Sequence, residues 1–388
     1  MALPIAYSFR SLIVRWKSTL LAMLGIGLVV AVFVGLLSMA SGFRLALRAS
    51  GSPENAIVLQ KGAMSELGSS FSKAAGDWVA DDPRIAHGRD GAPLVSPELV
   101  AVVALPNRDD GELRNIGLRG VTPAAFNVRS GVTILEGRRA QPGLFEIIAG
   151  RQAQSRIRGL DVGSRISLMK REFDVVGIFS DEGSSFESEI WGDFDAMASA
   201  FSRAGTENSM TVRLANPRVL PSFDRELQAN LQYPLEMVGE RKYYEDQAGP
   251  LSRFLAGLAA FVAVVMGIGA IFAAMNTMYA IVANRTREVG TLRALGFSRS
   301  AVLMAFVLEG SFLALAGGGL GCLLSFLANG LSTSSTTASM SEIVFAFRVT
   351  PIDLGYGLLF AVTMGVIGSL LPAFRAARLA IVSALREA

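Results

Sequence analysis

Four long stretches of the chain carry no charged residue: Ser18–Phe43, Phe254–Asn284, Gly310–Ser341 and Leu354–Phe374. The third is apolar mainly in its first half. A helix needs about 20 apolar residues to cross the hydrocarbon core of a bilayer, so each stretch can span once. Between the first and second lie about 210 residues in which charged, turn-forming and short apolar segments alternate. The pattern predicts an α-helical membrane protein with four transmembrane helices, at 18–43, 254–284, 301–330 and 354–374. It places a large α/β extracytoplasmic domain, 44–253, between helices 1 and 2.

Within 44–253 the apolar segments are rich in Val, Ile and Phe and bounded by Gly, Pro and Asp, as strands are. They fall at Ala56–Gln60, Leu99–Ala104, Leu113–Arg119, Phe145–Ala149, Ser164–Met169, Phe173–Phe179 and Met210–Leu214. Ser164–Met169 and Phe173–Phe179 read as a hairpin, and Ala196–Phe201 and Pro221–Gln232 as helices. Strands mixed with helices give one or two α/β subdomains, and the length accommodates two at about 100–200 residues each.

The second apolar stretch has 31 residues. As a helix it measures about 46 Å against a hydrocarbon core of about 30 Å. Either it tilts across the bilayer or it rises as a stalk under the domain. Glu240–Gln247 upstream also has helical composition, and Gly249-Pro250 is expected to kink or break it. At the start of the chain, Ile5, Phe9, Leu12, Ile13 and Trp16 share one helical face opposite Arg10, Arg15 and Lys17. This predicts a cytoplasmic amphipathic elbow helix, 1–17, lying among the headgroups of membrane lipid. Residues 331–353 read as an extracytoplasmic loop and 375–388 as a cytoplasmic tail.

Charge then orients the chain. The N-terminal segment has Arg10, Arg15 and Lys17 with no acid, and the loop before the third span has Arg285, Arg287, Arg293 and Arg299 against Glu288. The 44–253 region holds 25 basic against 28 acidic residues. Short loops rich in Arg and Lys stay cytoplasmic, so both termini and 285–300 face inward and the domain faces outward. The pI near 9.2 reflects this asymmetry, not a nucleic-acid partner. The first span, at 26 residues, exceeds the about 7–15 of a cleavable signal core. One cysteine, Cys322, lies inside the third stretch, so the domain folds without a disulfide.

Enzyme chemistry is not evident. There is one histidine, His87, and no metal-ligand cluster, G-x-S-x-G or H-E-x-x-H. The acid pairs Asp81-Asp82, Asp109-Asp110 and Asp181-Glu182 sit beside Gly or Pro and read as solvated loop charges.

Two segments carry candidate contacts. Val289, Leu292 and Leu295 recur at three-residue spacing, an apolar edge of a short helix that Gly296 suits as a stop, while Ser298 suits the start of the next. Such a helix docks into a partner's groove or lies on the membrane surface. In the second span, Gly269-x-x-x-Ala273 and Ala270-x-x-x-Ala274 allow close helix approach, within the chain or across a homodimer seam.

The loop resembles the MacB/FtsX-type permeases of ABC transporters, the type VII or mechanotransmission family. The family's R-x-R-E-[IV]-G-x-L-[RK]-A-[LI]-G signature is matched by Arg285, Arg287, Glu288, Val289, Gly290, Leu292, Arg293, Ala294, Leu295 and Gly296. Glu309 stands where the family has an acid, before Gly317–Gly321, and Leu371-Pro372-Ala373 through Arg378 with Ala384-Leu385-Arg386 resembles its closing motif. Glu309 itself is read as shallow near the inner interface, or protonated and bonded to a neighbouring helix.

The resemblance implies that 285–300 is a coupling helix seated in a cleft of a separate ABC ATPase subunit. Val289, Leu292 and Leu295 would be its apolar contacts, and Arg287, Glu288 and Arg293 its polar ones. Gly290 and Gly296 belong to the same segment. Two ATPase copies, a second permease copy (homodimer or related heterodimer) and in some members a periplasmic adaptor complete such assemblies. This sequence has no Walker G-x-x-x-x-G-K-[ST], so ATP and Mg would belong to the partner and this chain would bind no cofactor. The expectation is a non-catalytic permease of the bacterial inner membrane that exports or extracts a hydrophobic or amphipathic substrate. The alternatives are a non-transporting mechanotransducer acting on a periplasmic enzyme, or a membrane-anchored sensor.

Overall fold

The computed structural model describes residues 16–336 and 341–380. The elbow expected over 1–17, apart from its last two residues, and the Ala384–Arg386 motif lie outside them. Helix α1 (Trp16–Ala49) leads to strands β1 (Asn55–Gln60) and β2 (Phe71–Ser72) and helix α2 (Lys73–Ala80). Next come β3 (Val95–Pro106), β4 (Leu113–Val121), α3 (Ala125–Val128), β5 (Thr133–Gly137), β6 (Glu146–Gly150) and α4 (Arg151–Arg156). The hairpin β7 (Arg165–Leu168) and β8 (Arg171–Ser180) precedes β9 (Ile190–Asp193), α5 (Phe194–Ala200), β10 (Thr206–Glu207) and β11 (Ser209–Arg213). After α6 (Leu220–Ala229) and β12 (Leu235–Gly239) come the helices α7 (Glu240–Asn284), α8 (Thr286–Ala294) and α9 (Arg299–Leu327). The hairpin β13 (Ser332–Thr336) and β14 (Glu342–Ala346) separates α9 from α10 (Pro351–Ala377).

Among the described residues, α1, α7, α9 and α10 are the helices long and apolar enough to cross a membrane. The chain divides into an α/β unit, Phe43–Leu251 with Ser332–Ala346, and a helical unit. In the α/β unit ten strands form one sheet in the order β12-β1-β11-β3-β4-β9-β6-β8-β5, with β7 also on β8. The β4–β9 and β6–β8 pairs are parallel. All seven strands expected from the sequence are present, but one continuous sheet joins them. Two cores take the place of two subdomains. One packs Leu99, Leu118, Ile147, Phe173 and Ile190. The other packs Val58, Val79, Val212, Phe223 and Leu227. Burying each such side chain is worth about 1.5–3 kcal/mol. Helices start at polar caps: Ser72 accepts from Ala75 N, and Asp193 from Ala196 N.

Two expectations are corrected. The 331–353 segment is not a plain loop: β13 and β14 pair over five residues, and the Val344 amide donates to Ser188 Oγ at 2.9 Å within the α/β unit. The Ser and Thr residues of β13 hid the strand, because their β-branched or short side chains suit a loop and a pleated edge equally. Gly249-Pro250 does not break the chain's second membrane helix either. Helix α7 is continuous for 45 residues with Pro250 inside it. A proline removes one donor, and buried neighbours such as Ala248 and Ser252 hold the turns around it.

In the helical unit, glycines set how closely the helices approach. A Cβ on Gly321 of α9 would sit 2.4 Å from the Gly27 carbonyl of α1, and one on Gly365 of α10 would sit 2.4 Å from Ala314 Cβ. Ser325 Oγ donates to the Ala31 carbonyl at 3.0 Å along the same α1–α9 seam. Gly319 has open space around it. Gly321→Val is therefore expected to lower the thermal unfolding temperature of the purified protein, by overpacking worth about 1–3 kcal/mol, while Gly319→Val leaves it unchanged. Equal melting of both variants would refute this helix contact.

Glu207 of β10 is buried, and its Oε2 has no hydrogen-bond partner among the described residues. Burial pushes its carboxyl up to about 7, against the pull of Lys73 and with the help of Asp77. An unfolded glutamate titrates near about 4.3, so the folded state holds this proton more tightly. That stability is complete below about pH 4.3 and is lost as pH rises through about 7. Glu207→Gln is expected to melt higher than the parent at about pH 8, with the gap closing toward about pH 5. A gap independent of pH would show that Glu207 does not titrate in this range.

Candidate functional site

Helix α8 follows α7 after a single non-helical residue, Arg285, which stands at its N-cap. Arg285 is buried. Its Nη1 donates to Glu309 Oε2 of α9 at 2.9 Å and its Nε to Glu288 Oε2 at 3.0 Å. The guanidinium also lies 5.7 Å from the ring centre of Phe306. Four residues on, Val289 packs with Val282, Val302, Phe306 and Ala373. At the far end of α8, Arg293 Nη1 donates to the Ala377 carbonyl at 2.9 Å. Ala377 ends α10, where carbonyls lack helical partners and the helix dipole favours a cation. Both ends of α8 are thus fastened to the helical unit.

The expected contact residues separate accordingly. Arg287, Glu288 and Leu295 are exposed and Leu292 is half-buried. Val289 and Gly290 are buried, so they hold α8 in place and are not on its free face; Arg293 likewise is engaged by α10. Geometry explains why the three-residue spacing misleads. Three residues turn a helix by about 300°, so Val289 and Leu295 point about 120° apart. The helix stops at Ala294, and Gly296 follows with φ of +95°, a conformation that favours glycine. The Ser298 side chain accepts from Ala301 N and caps α9, as its position suggests.

Glu309 is 3 % exposed and bonds outside its own helix, ion-paired to Arg285 at 2.9 Å. The sequence marked Glu309 as costly in an apolar helix but gave no partner, since Arg285 is 24 residues away. The small residues of α7 also divide. Ala270 and Ala274 are buried inside the chain, Ala274 facing Gly368 of α10. Gly269 and Ala273 lie exposed on the other side, beside the exposed side chains of Ile268 and Phe272.

The remaining candidates are structural. His87 bonds the Ile85 carbonyl at 3.1 Å, and no group that could hold a metal occurs among the described residues. Asp82 pairs with Arg84, and Asp110 with Arg114. Asp181 departs from the solvated reading: it is buried, accepts from Ser184 Oγ at 2.6 Å, and burial pushes its carboxyl up.

Glu309→Ala leaves Arg285 buried with Glu288 as its remaining carboxylate among the contacts above. The loss is expected at the lower end of the about 3–5 kcal/mol that breaking a buried pair costs, read as a lowered unfolding temperature. Replacing both residues by Met should restore most of it. An unchanged temperature in Glu309→Ala would mean that the pair does not hold α8.

Comparison with known proteins places the whole chain. The FtsX-like permease C-terminal model matches residues 260–381, and the MacB-like periplasmic core domain model matches residues 19–230. The macrolide export ATP-binding/permease protein MacB of Bdellovibrio bacteriovorus is 25 % identical over 414 residues, 97 % of this chain and 60 % of its own. That of Hahella chejuensis is 25 % identical over 396 residues, 95 % of this chain and 57 % of its own. The chain therefore spans 60 % or less of the length of these curated relatives. The periplasmic region of MacB from Actinobacillus actinomycetemcomitans aligns with 52 % of this chain and 94 % of its own, at 15 % identity and a TM-score of 0.38. With one family model covering more than half of its residues and a second covering its C-terminal helices, this chain belongs to the MacB/FtsX-type family of ABC transporter permeases.

Proposed function

We propose that this chain is the membrane-spanning part of an ATP-driven transporter that exports or extracts a hydrophobic or amphipathic substrate, and that α8 docks on an ABC ATPase. The observation that carries this is the mounting of α8. It is fastened at Arg285 and Arg293, packed through Val289, and turns Arg287, Glu288, Leu292 and Leu295 outward. A short helix held at both ends moves with the helices it is fastened to, so force applied to its free face is not lost in local bending. Helix-in-groove recognition needs such a face.

In this reading the ABC ATPase supplies the P-loop, ATP and Mg. Two copies of it work with two permease copies, and Gly269 and Ala273 on the exposed side of α7 form the permease seam. In this reading the termini and α8 are cytoplasmic and the α/β unit is periplasmic, in keeping with the basic loops. Displacement in this reading is carried along α1 and α7, each an unbroken helix.

The test is affinity purification of the tagged full chain from its native membranes. A P-loop ATPase is expected with the parent, and Leu292→Asp and Leu295→Asp are expected to lose it by tenfold or more, as buried anchors of an interface do at about 2 kcal/mol or above. Both variants should remain in the membrane fraction. An ATPase retained at parental levels by both would overturn the assignment of α8.

A further inference from the structure

A cleft of about 630 Å³, part of it open to solvent, lies inside the α/β unit beside Leu47 of α1, Tyr243 and Tyr244 of α7, and Arg119 of β4. One wall is charged. Arg119 is ion-paired to Glu66 at 2.9 Å, to Glu189 at 2.8 Å, and to Glu98. Glu98 is shared with Arg129, whose Nε meets Glu240 at 3.2 Å. In this linked set two guanidiniums face four carboxylates, and all but Glu189 are less than a tenth exposed.

Hydrogen bonds satisfy many of these oxygens without cancelling the charge. Trp191 Nε1 donates to Glu189 at 2.8 Å and Ser209 Oγ to Glu66 at 2.7 Å. Glu240 takes the Ser52 amide and Asn55 Nδ2. An excess of buried negative charge is costly unless a cation or a proton offsets it. For Glu240, burial pushes the carboxyl up, against the pull of Arg129. Glu98, although burial opposes its charge, is held below the usual range by Arg129 and Arg119. The carboxylates that line the cleft are Glu66, Glu189 and Glu342; the first two divide a single Arg119 with Glu98, and Glu342 has Arg156 at 3.9 Å.

A separate observation points to an occupant. Tyr244 lines the cleft and is 5 % exposed, yet its hydroxyl has no hydrogen-bond partner among the described residues. Its neighbour Tyr243 is engaged, accepting from the Glu66 amide at 2.9 Å. The lining also includes the apolar side chains of Leu47, Leu67, Val102 and Ile343, beside the polar Ser185, Ser188 and Gln247. We infer that this cleft binds an organic cation with an apolar body. An ammonium group there meets Glu66 and Glu189, gives the Tyr244 oxygen a donor, and lies near aromatic rings that attract cations. The tail covers the apolar side chains. An anionic head meets the carboxylate excess, and a neutral one gains only the tail's burial. The inference concerns the α/β unit alone and stands independently of the transport reading.

The test uses three probes with one tail: n-octylammonium, n-octanol and n-octanoate, titrated onto the full chain in nanodiscs of zwitterionic lipid, with tryptophan fluorescence as the readout. Trp191, bonded to Glu189, is the local reporter. Octylammonium is expected to bind saturably and about tenfold or more tighter than the other two, the effect of a charged hydrogen bond in a partly desolvated site. Glu189→Gln and Tyr244→Phe should each weaken it about tenfold. Tyr244→Phe removes a hydroxyl with no described partner, so its unfolding temperature should not fall. Equal binding of the three probes, non-saturable binding, or parental affinity in Tyr244→Phe would each overturn the inference.

Discussion

A charge removed from water has to find its opposite within bonding distance, and that requirement shapes both units of this protein. In the helical unit it acts through Glu309. A carboxylate on an apolar helix is expensive, and it is neutralised by Arg285, the residue that ends α7 and caps α8. Once that bond is made the direction in which α8 leaves α7 is set. Val289 turns inward, and Arg293 falls against the last carbonyl of α10. The exposed face of α8 is what those attachments leave over.

In the α/β unit the same rule operates with more participants. Arg119 on β4 and Arg129 after α3 gather Glu66, Glu98, Glu189 and Glu240 from across the unit. Glu240 is the first residue of α7, and it also receives the Ser52 amide just beyond α1. The places where both long helices enter the domain are therefore joined to the sheet by buried charge. Buried ion pairs add little net stability but fix geometry, because removing either partner strands the other.

Packing within the helical unit follows a different logic. Lipid offers no hydrophobic drive for one apolar helix to leave it for another, so contact depends on close fit and on small residues. Gly27, Gly321, Gly310 and Gly365 supply that fit. Large side chains such as Leu21, Phe261 and Phe272 remain on the outside.

Much of the architecture was legible from hydropathy. The membrane-length helices, the large inserted domain and seven of its strands follow from the period and length of apolar runs, which are local properties. Short strands such as Ile190–Asp193 and Leu235–Gly239, and the Ser-rich β13, carry too little local signal and exist because neighbours complete them. At the candidate site, the sequence marked α8, its stop at Gly296 and its family. It could not say which of Val289, Leu292, Leu295 and Arg293 remain free, nor what Glu309 pairs with. Nor could it separate Ala270 and Ala274, which pack inside the chain, from Gly269 and Ala273, which do not. Those outcomes depend on residues far apart in sequence meeting in space. Spacing along one helix fixes relative direction, but only the packed neighbours decide which direction is inward.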